Sequence, residues 1–124
     1  MKTFLFSIAI AAFLSSFVSI SFTEVLNAIK TGNAAEVAKY FDNTVEITLP
    51  DKSNSYSKSQ AELVLREFFN TNNVKSFEVI HKSENAASQY CIGNLNTSNG
   101  LFRTTIYMKQ KGNKQVVQEL RFEK

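Results

Sequence analysis

Between Phe77 and Phe122 apolar residues recur at alternate positions in four successive runs, the period of half-buried β-strands. Phe77, Val79 and His81 share one face of the first run, and Phe102, Thr104, Ile106 and Met108 share one face of the third. In the last run Val116, Gln118, Leu120 and Phe122 alternate with Val117, Glu119, Arg121 and Glu123. Neighbouring antiparallel strands must agree on the buried face, so parity constrains the turns between them. A two-residue loop Gly112-Asn113 would set Lys109 against Val116 and Glu119 against Ile106, mixing the faces. A three-residue loop Gln110-Lys111-Gly112, with glycine in the left-handed bulge position, sets Ile106 against Val116, Thr104 against Gln118 and Phe102 against Leu120. The same loop at Ser98-Asn99-Gly100 sets Asn94 against Thr104 and Ile92 against Ile106.

This register predicts a polar stripe, Asn94, Thr104 and Gln118, across three strands of an apolar face, with His81 and Tyr90 a short distance along it. The stripe reads either as a hydrogen-bonded ladder in a core or as the polar floor of a pocket. The other face would carry Cys91 with Ile80, Leu95, Tyr107 and Val117. Such an apolar outer surface suggests a covering partner subunit.

Upstream, Val25, Leu26 and Ile29 have helical spacing from Thr23 to Thr31, closed by Gly32. Asn33 with Glu36 resembles a capping box opening a second helix, with Val37, Ala38 and Phe41 on its buried stripe. Val45, Ile47 and Leu49 alternate in a strand from Thr44 to Leu49, which Pro50-Asp51 stops. Asp51 to Tyr56 is polar and reads as a loop. Ser57 and Gln60 cap a helix whose Ala61, Val64, Leu65, Phe68 and Phe69 make a wide apolar face, the natural cover for the sheet. Asn70 to Asn73 ends that helix.

The N-terminus has the three parts of a secretory leader: Lys2, the apolar run Phe4 to Val18, and small residues ending at Ser21. Residues 1–21 are therefore read as a cleavable signal peptide and 22–124 as one domain, exported to the periplasm or beyond and free of the membrane after cleavage. Of 14 basic residues in the whole chain, the leader removes only Lys2. The remaining 13 against 11 acidic residues give a charge of about +2, too small to point to nucleic acid. Lys109, Lys111 and Lys114 cluster at a hairpin tip, where they would protect an edge and aid solubility. The single cysteine forbids an internal disulfide. No cofactor motif is present, and one histidine and one cysteine on different faces do not make a metal site.

As an ensemble, Ala28-Ile29-Lys30 with Gly32, Tyr40-Phe41, Tyr56-Ser57-Lys58-Ser59-Gln60-Ala61, Phe68-Phe69, Ser76-Phe77, Ile80-His81, Ile92-Gly93-Asn94-Leu95, Thr97-Ser98-Asn99-Gly100 and Arg103 resemble the small secreted Bacteroidota family called domain of unknown function 4783. The element order resembles the wider nuclear-transport-factor-2-like (SnoaL-like, cystatin-like) superfamily. The resemblance spans the mature chain. It implies an α+β cone, N-terminal helices packed on a curved, mostly antiparallel sheet, and an address in the cell envelope. It implies no catalytic residues.

Enzymes of the wider fold use an inward carboxylate or histidine, whereas the inward positions expected here offer His81, Tyr90, Asn94, Thr104 and Gln118 and no carboxylate. Three functions follow. A non-enzymatic accessory module would hold a small apolar or amphipathic ligand over Asn94, Thr104, Gln118 and His81, dimerising through its sheet around Tyr107, Arg103, Ile80 and Val117. A proton-transfer enzyme of isomerase or dehydratase type would use His81 as base with Tyr90 as donor, with Asp51 and Tyr56 at the cone mouth as a second pair. A structural dimer would have its cone filled by Phe68, Phe69, Phe102 and Phe122 and would act through the outer face.

Overall fold

The computed structural model describes residues 20–124, so the expected leader, apart from its last two residues, lies outside the described part. Helix α1 (Ile20–Lys30) and the short α2 (Ala34–Ala38) precede β1 (Phe41–Leu49) and β2 (Lys52–Ser57). Helix α3 (Lys58–Thr71) follows, and then β3 (Val74–Glu84), β4 (Ser88–Thr97), β5 (Gly100–Lys111) and β6 (Lys114–Glu123). The six strands form one sheet in the order β2-β1-β6-β5-β4-β3. Only β1 and β6 run parallel. No described helix is long and apolar enough to cross a membrane.

The caps form where the sequence places them. Asn33 Oδ1 accepts from the Glu36 amide and Ser57 Oγ from the Gln60 amide, each satisfying a donor that has no partner within its helix. Gly32 ends α1 at φ +66°. The polar stretch after Pro50 is a strand, not a loop: β2 pairs with β1 along its whole length, Val45 opposite Tyr56 and Leu49 opposite Lys52. It stays polar because it is an edge strand with almost every side chain in water.

Both expected three-residue turns are two-residue turns. Thr97 pairs with Gly100, and Lys111 with Lys114 around Gly112-Asn113. The parity objection to the latter is resolved by a bulge. Met108 pairs with Val117 but Tyr107 with Glu119, so Gln118 is an extra residue that switches the parity of β6. Beyond it Ile106 faces Leu120 and Thr104 faces Phe122. Val117, Leu120 and Phe122 therefore share the core, each fully buried. Gln118 is also where β1 loses register with β6, between Phe41 and Glu46.

Strand β4 is turned over relative to expectation. Cys91 lies opposite Ile106, Gly93 opposite Thr104 and Leu95 opposite Phe102. Cys91 and Leu95 are in the core, while Tyr90, Ile92 and Asn94 are half-buried on the open face. A second irregularity, at Ile80, moves His81 onto that open face, opposite Ile92. Phe77 and Val79 remain aligned with Leu95 and Gly93. Bulges bend and twist a sheet, and those in β6 and β3 help wrap it around the helices.

The covered side is packed with aromatic rings. Phe68 of α3 stacks on Phe122 at 4.3 Å between centroids and meets Phe102 edge-on at 5.1 Å. Phe69 approaches Phe122 at 6.3 Å. Phe22, Val25 and Ile29 of α1, fully buried, join the same core.

Candidate functional site

The residues expected to floor a pocket are dispersed. Thr104 faces the core, fully buried, with its hydroxyl donating to the Phe102 carbonyl at 3.3 Å. Asn94 pairs with Arg103 on the open face. Gln118 sits in the bulge and donates from Nε2 to Asp42 Oδ2 at 3.0 Å. The stripe fails because it needed both three-residue turns. The expected neighbour of the stripe does form: His81 and Tyr90 lie 5.5 Å apart between ring centroids. They do so in the open, with His81 exposed and Tyr90 half-buried, away from the helix-covered interior.

Cys91 is also relocated, to the core, where burial pushes its thiol up to about 11. At neutral pH it is a small packed residue and no nucleophile. Of the four expected interface residues, Tyr107, Arg103 and Ile80 are outward. Val117 is not, because the two-residue turn at Gly112-Asn113 sets it opposite the buried Met108.

The sheet face away from the helices forms three cross-strand rows. Ser83, Tyr90, Tyr107, Glu119 and Glu46 make one. His81, Ile92, Thr105, Arg121 and Thr48 make the next, and Glu78, Asn94, Arg103 and Glu123 the third. Tyr90, Ile92 and Tyr107 thus form a half-buried apolar centre bordered by two arginines and several glutamates. Arg121 Nη2 and Glu123 Oε2 are 3.8 Å apart. Ile80, 58% exposed, lies near the margin.

Asp42, which the sequence did not single out, is the best-held carboxylate. Its Oδ1 accepts from Lys111 Nζ at 2.9 Å and from the Asn43 amide at 2.8 Å, while Oδ2 accepts from Gln118. These donors, Lys111 first, hold its pKa below the ordinary carboxylate value despite partial burial. Sequence signals were weak because Asp42 and its two side-chain partners are 69 and 76 residues apart. Asp42 lines a cleft of about 460 Å³ beside the N-terminus of α3. Another cleft, about 370 Å³, lies at the opposite end of α3, between the β1–β2 turn and Phe68 and Phe102. Asp51 lines this second cleft but Tyr56 does not, so that expected pair is not assembled.

Residues 22–123 match the family described as "Domain of unknown function (DUF4783)". No curated protein matches the chain. Among solved structures, a DUF4783 family protein from Bacteroides uniformis ATCC 8492 is 34% identical, with TM-score 0.79, covering 82% of this chain and 94% of its own. One from Bacteroides fragilis YCH46 is 31% identical, with TM-score 0.77, covering 86% and 98%. An NTF2-like protein of unknown function from Cytophaga hutchinsonii ATCC 33406 shares 12% identity at TM-score 0.59, covering 82% and 84%. That likeness concerns the fold alone.

Proposed function

The chain belongs to the DUF4783 family, a domain of unknown function on an NTF2-like α+β fold, and on that basis we propose a non-enzymatic interaction module of the cell envelope that pairs with a second copy through its open sheet face. The observation that carries this reading is the filled cone. Phe68, Phe102 and Phe122 occupy the space between α3 and the sheet in direct ring contact, where a ligand of the interior would otherwise sit. The remaining large feature is the open face. Its centre, Tyr90, Ile92 and Tyr107, is apolar without a covering helix among the described residues, and aromatic residues and arginine are the types that anchor protein interfaces.

A second copy suits this face better than an unrelated partner because its charges complement themselves. Arg103 and Arg121 stand beside Glu119, Glu123 and Glu46, so a two-fold axis through the apolar centre can bring each arginine to a partner glutamate. The match beginning at residue 22 supports reading residues 1–21 as a removed leader, hence an envelope location. Catalysis by His81 finds less support, since among the described residues its ring is exposed, and proton-transfer chemistry gains from a site that excludes water.

Sedimentation equilibrium of the processed protein tests the proposal. A dimer is expected, converted to monomer by Tyr107→Asp with the secondary structure retained. A parent protein that stays monomeric at high concentration, or a Tyr107→Asp protein that still dimerises, overturns it.

A further inference from the structure

The larger cleft has a composition that solubility does not explain. Lys39, Lys58, Lys111 and Lys114 converge on it from α2's end, the start of α3 and the β5–β6 hairpin, against one carboxylate, Asp42. Lys39 is paired with Glu36 at 2.8 Å and Lys111 with Asp42. Lys58 and Lys114 have no ion pair among the described residues. Lys58 occupies the first position of α3, where the helix dipole disfavours a cation, so its charge is not placed there for the helix.

The other lining groups narrow the ligand. No arginine lines the cleft, so it offers compact point charges, which hold a phosphate or sulfate from any direction, without the planar fork that grips carboxylate and phosphate alike. Asn43, Asn113 and Gln115 supply amides at the wall, and half-buried Tyr40 supplies an aromatic surface. Asp42 Oδ2 has one side-chain donor, Gln118, and retains a lone pair that a hydroxyl can fill. A carboxylate among lysines would repel a bare anion, whereas it favours a molecule with hydroxyls on one side and an anionic group on the other. The volume, about 460 Å³, falls within the range of small-molecule sites.

We propose that this cleft binds a saccharide bearing a phosphate or sulfate ester, the ester held between Lys58 and Lys114 and the hydroxyls by Asp42, Asn43 and Gln115. The site is separate from the open-face centre, since none of Tyr90, Ile92 and Tyr107 lines it. Oligomeric state and ligand binding therefore report on different proposals.

The test is titration calorimetry and amide NMR on the processed protein with glucose 6-phosphate, glucose 6-sulfate, glucose, inorganic phosphate and inorganic sulfate. Saturable binding of at least one ester is expected, at least about tenfold tighter than glucose or the inorganic ions, a free-energy difference of ~1.4 kcal/mol. Asn43, Asn113 and Gln115 amides should shift. Lys58→Gln and Lys114→Gln should each weaken binding several-fold, while Lys75→Gln on β3 should leave it unchanged. Both cleft lysines are exposed, so the variants are expected to fold, which circular dichroism checks. Inorganic phosphate or sulfate binding as tightly as the esters would mean an adventitious ion only and would overturn the proposal. So would absence of saturable ester binding, or lysine variants that bind like the parent.

Discussion

The two faces of the sheet carry side chains of similar apolarity to different ends. On β4, Cys91 and Leu95 point toward the helices and are fully buried, while Ile92, as apolar as Leu95, and the aromatic ring of Tyr90 point away and remain half-buried. On β5 the same holds for Ile106 and Met108 against Tyr107. What separates the faces is the cover, α1 and α3 on one side and, among the described residues, no helix on the other. An apolar residue on a strand therefore does not identify the core by itself, and an uncovered apolar centre is where a function of association can reside.

The sharpest way to break this contrast is to truncate one ring on each face. Phe122→Ala removes the ring stacked on Phe68 at 4.3 Å and is expected to cost about 3–5 kcal/mol, a loss of well over ten degrees in Tm for a domain of this size. Tyr107→Ala on the open face should cost under about 1 kcal/mol in the monomer. Urea denaturation at two protein concentrations checks both. If the Tyr107 variant loses as much as the Phe122 variant at low concentration, the two faces are one core. A loss confined to high concentration would show that the open face is stabilised by association.

Gly93→Ala is expected to have the next largest effect. A Cβ there would sit 2.5 Å from Phe77 Cζ and 2.7 Å from the Glu78 carbonyl oxygen, so both the ring and the β3 backbone must move. The expected cost is about 1–3 kcal/mol. Hydrogen exchange should show protection lost in β3 before β5. Uniform loss across the sheet would show that β3, although an edge strand, opens only together with the rest.

Much of this fold was legible because it is local. The caps at Asn33 and Ser57, the turn at Gly32 and the apolar face of α3 depend on residues within a few positions of each other, and all appear as read. The filling of the cone by Phe68, Phe69, Phe102 and Phe122 was also readable as one possibility, since eleven phenylalanines supply ample aromatic volume for an interior. The faces of β4 and β6 were not legible. Parity assumes an uninterrupted ladder, and the extra residue Gln118 is held by Asp42 far away in sequence. The preference for a two-residue Ser98-Asn99 turn likewise has a distant partner at the end of α3. Asp42 and the lysine cleft depend on three separate segments meeting, which no motif encodes.

That turn supplies a third test. Asn99 Nδ2 donates to the Thr71 carbonyl at 2.8 Å and to Asn72 Oδ1 at 2.9 Å, and Ser98 exchanges hydrogen bonds with the Asn73 backbone. Asn99→Ala leaves the Thr71 carbonyl without this donor and is expected to cost about 1–2 kcal/mol. The loss should weaken the covered face by loosening the end of α3, visible as faster exchange at Asn70 to Asn72. Unchanged exchange there would show that α3 is fixed by its phenylalanines alone.

The smallest effect belongs to Asp42, which lies at the bulge where β6 changes parity. Its folded pKa is lowered by Lys111, Gln118 and the Asn43 amide, so the folded state binds the proton more weakly than the unfolded chain. The resulting stabilisation is fully present above the unfolded carboxylate value of about 3.9 and is lost as pH falls through the folded value. Asp42→Asn removes that dependence, so the stability curve of the variant should be flatter than the parent's on the acid side and parallel to it near neutrality. Lys111 is half exposed, and solvent screening keeps the change below those above. High salt should shrink it further if the Lys111 contact dominates, and leave it in place if the bonds from Gln118 and Asn43 do. An acid limb identical in parent and variant would show that Asp42 binds its proton no more weakly in the folded chain than in the unfolded one.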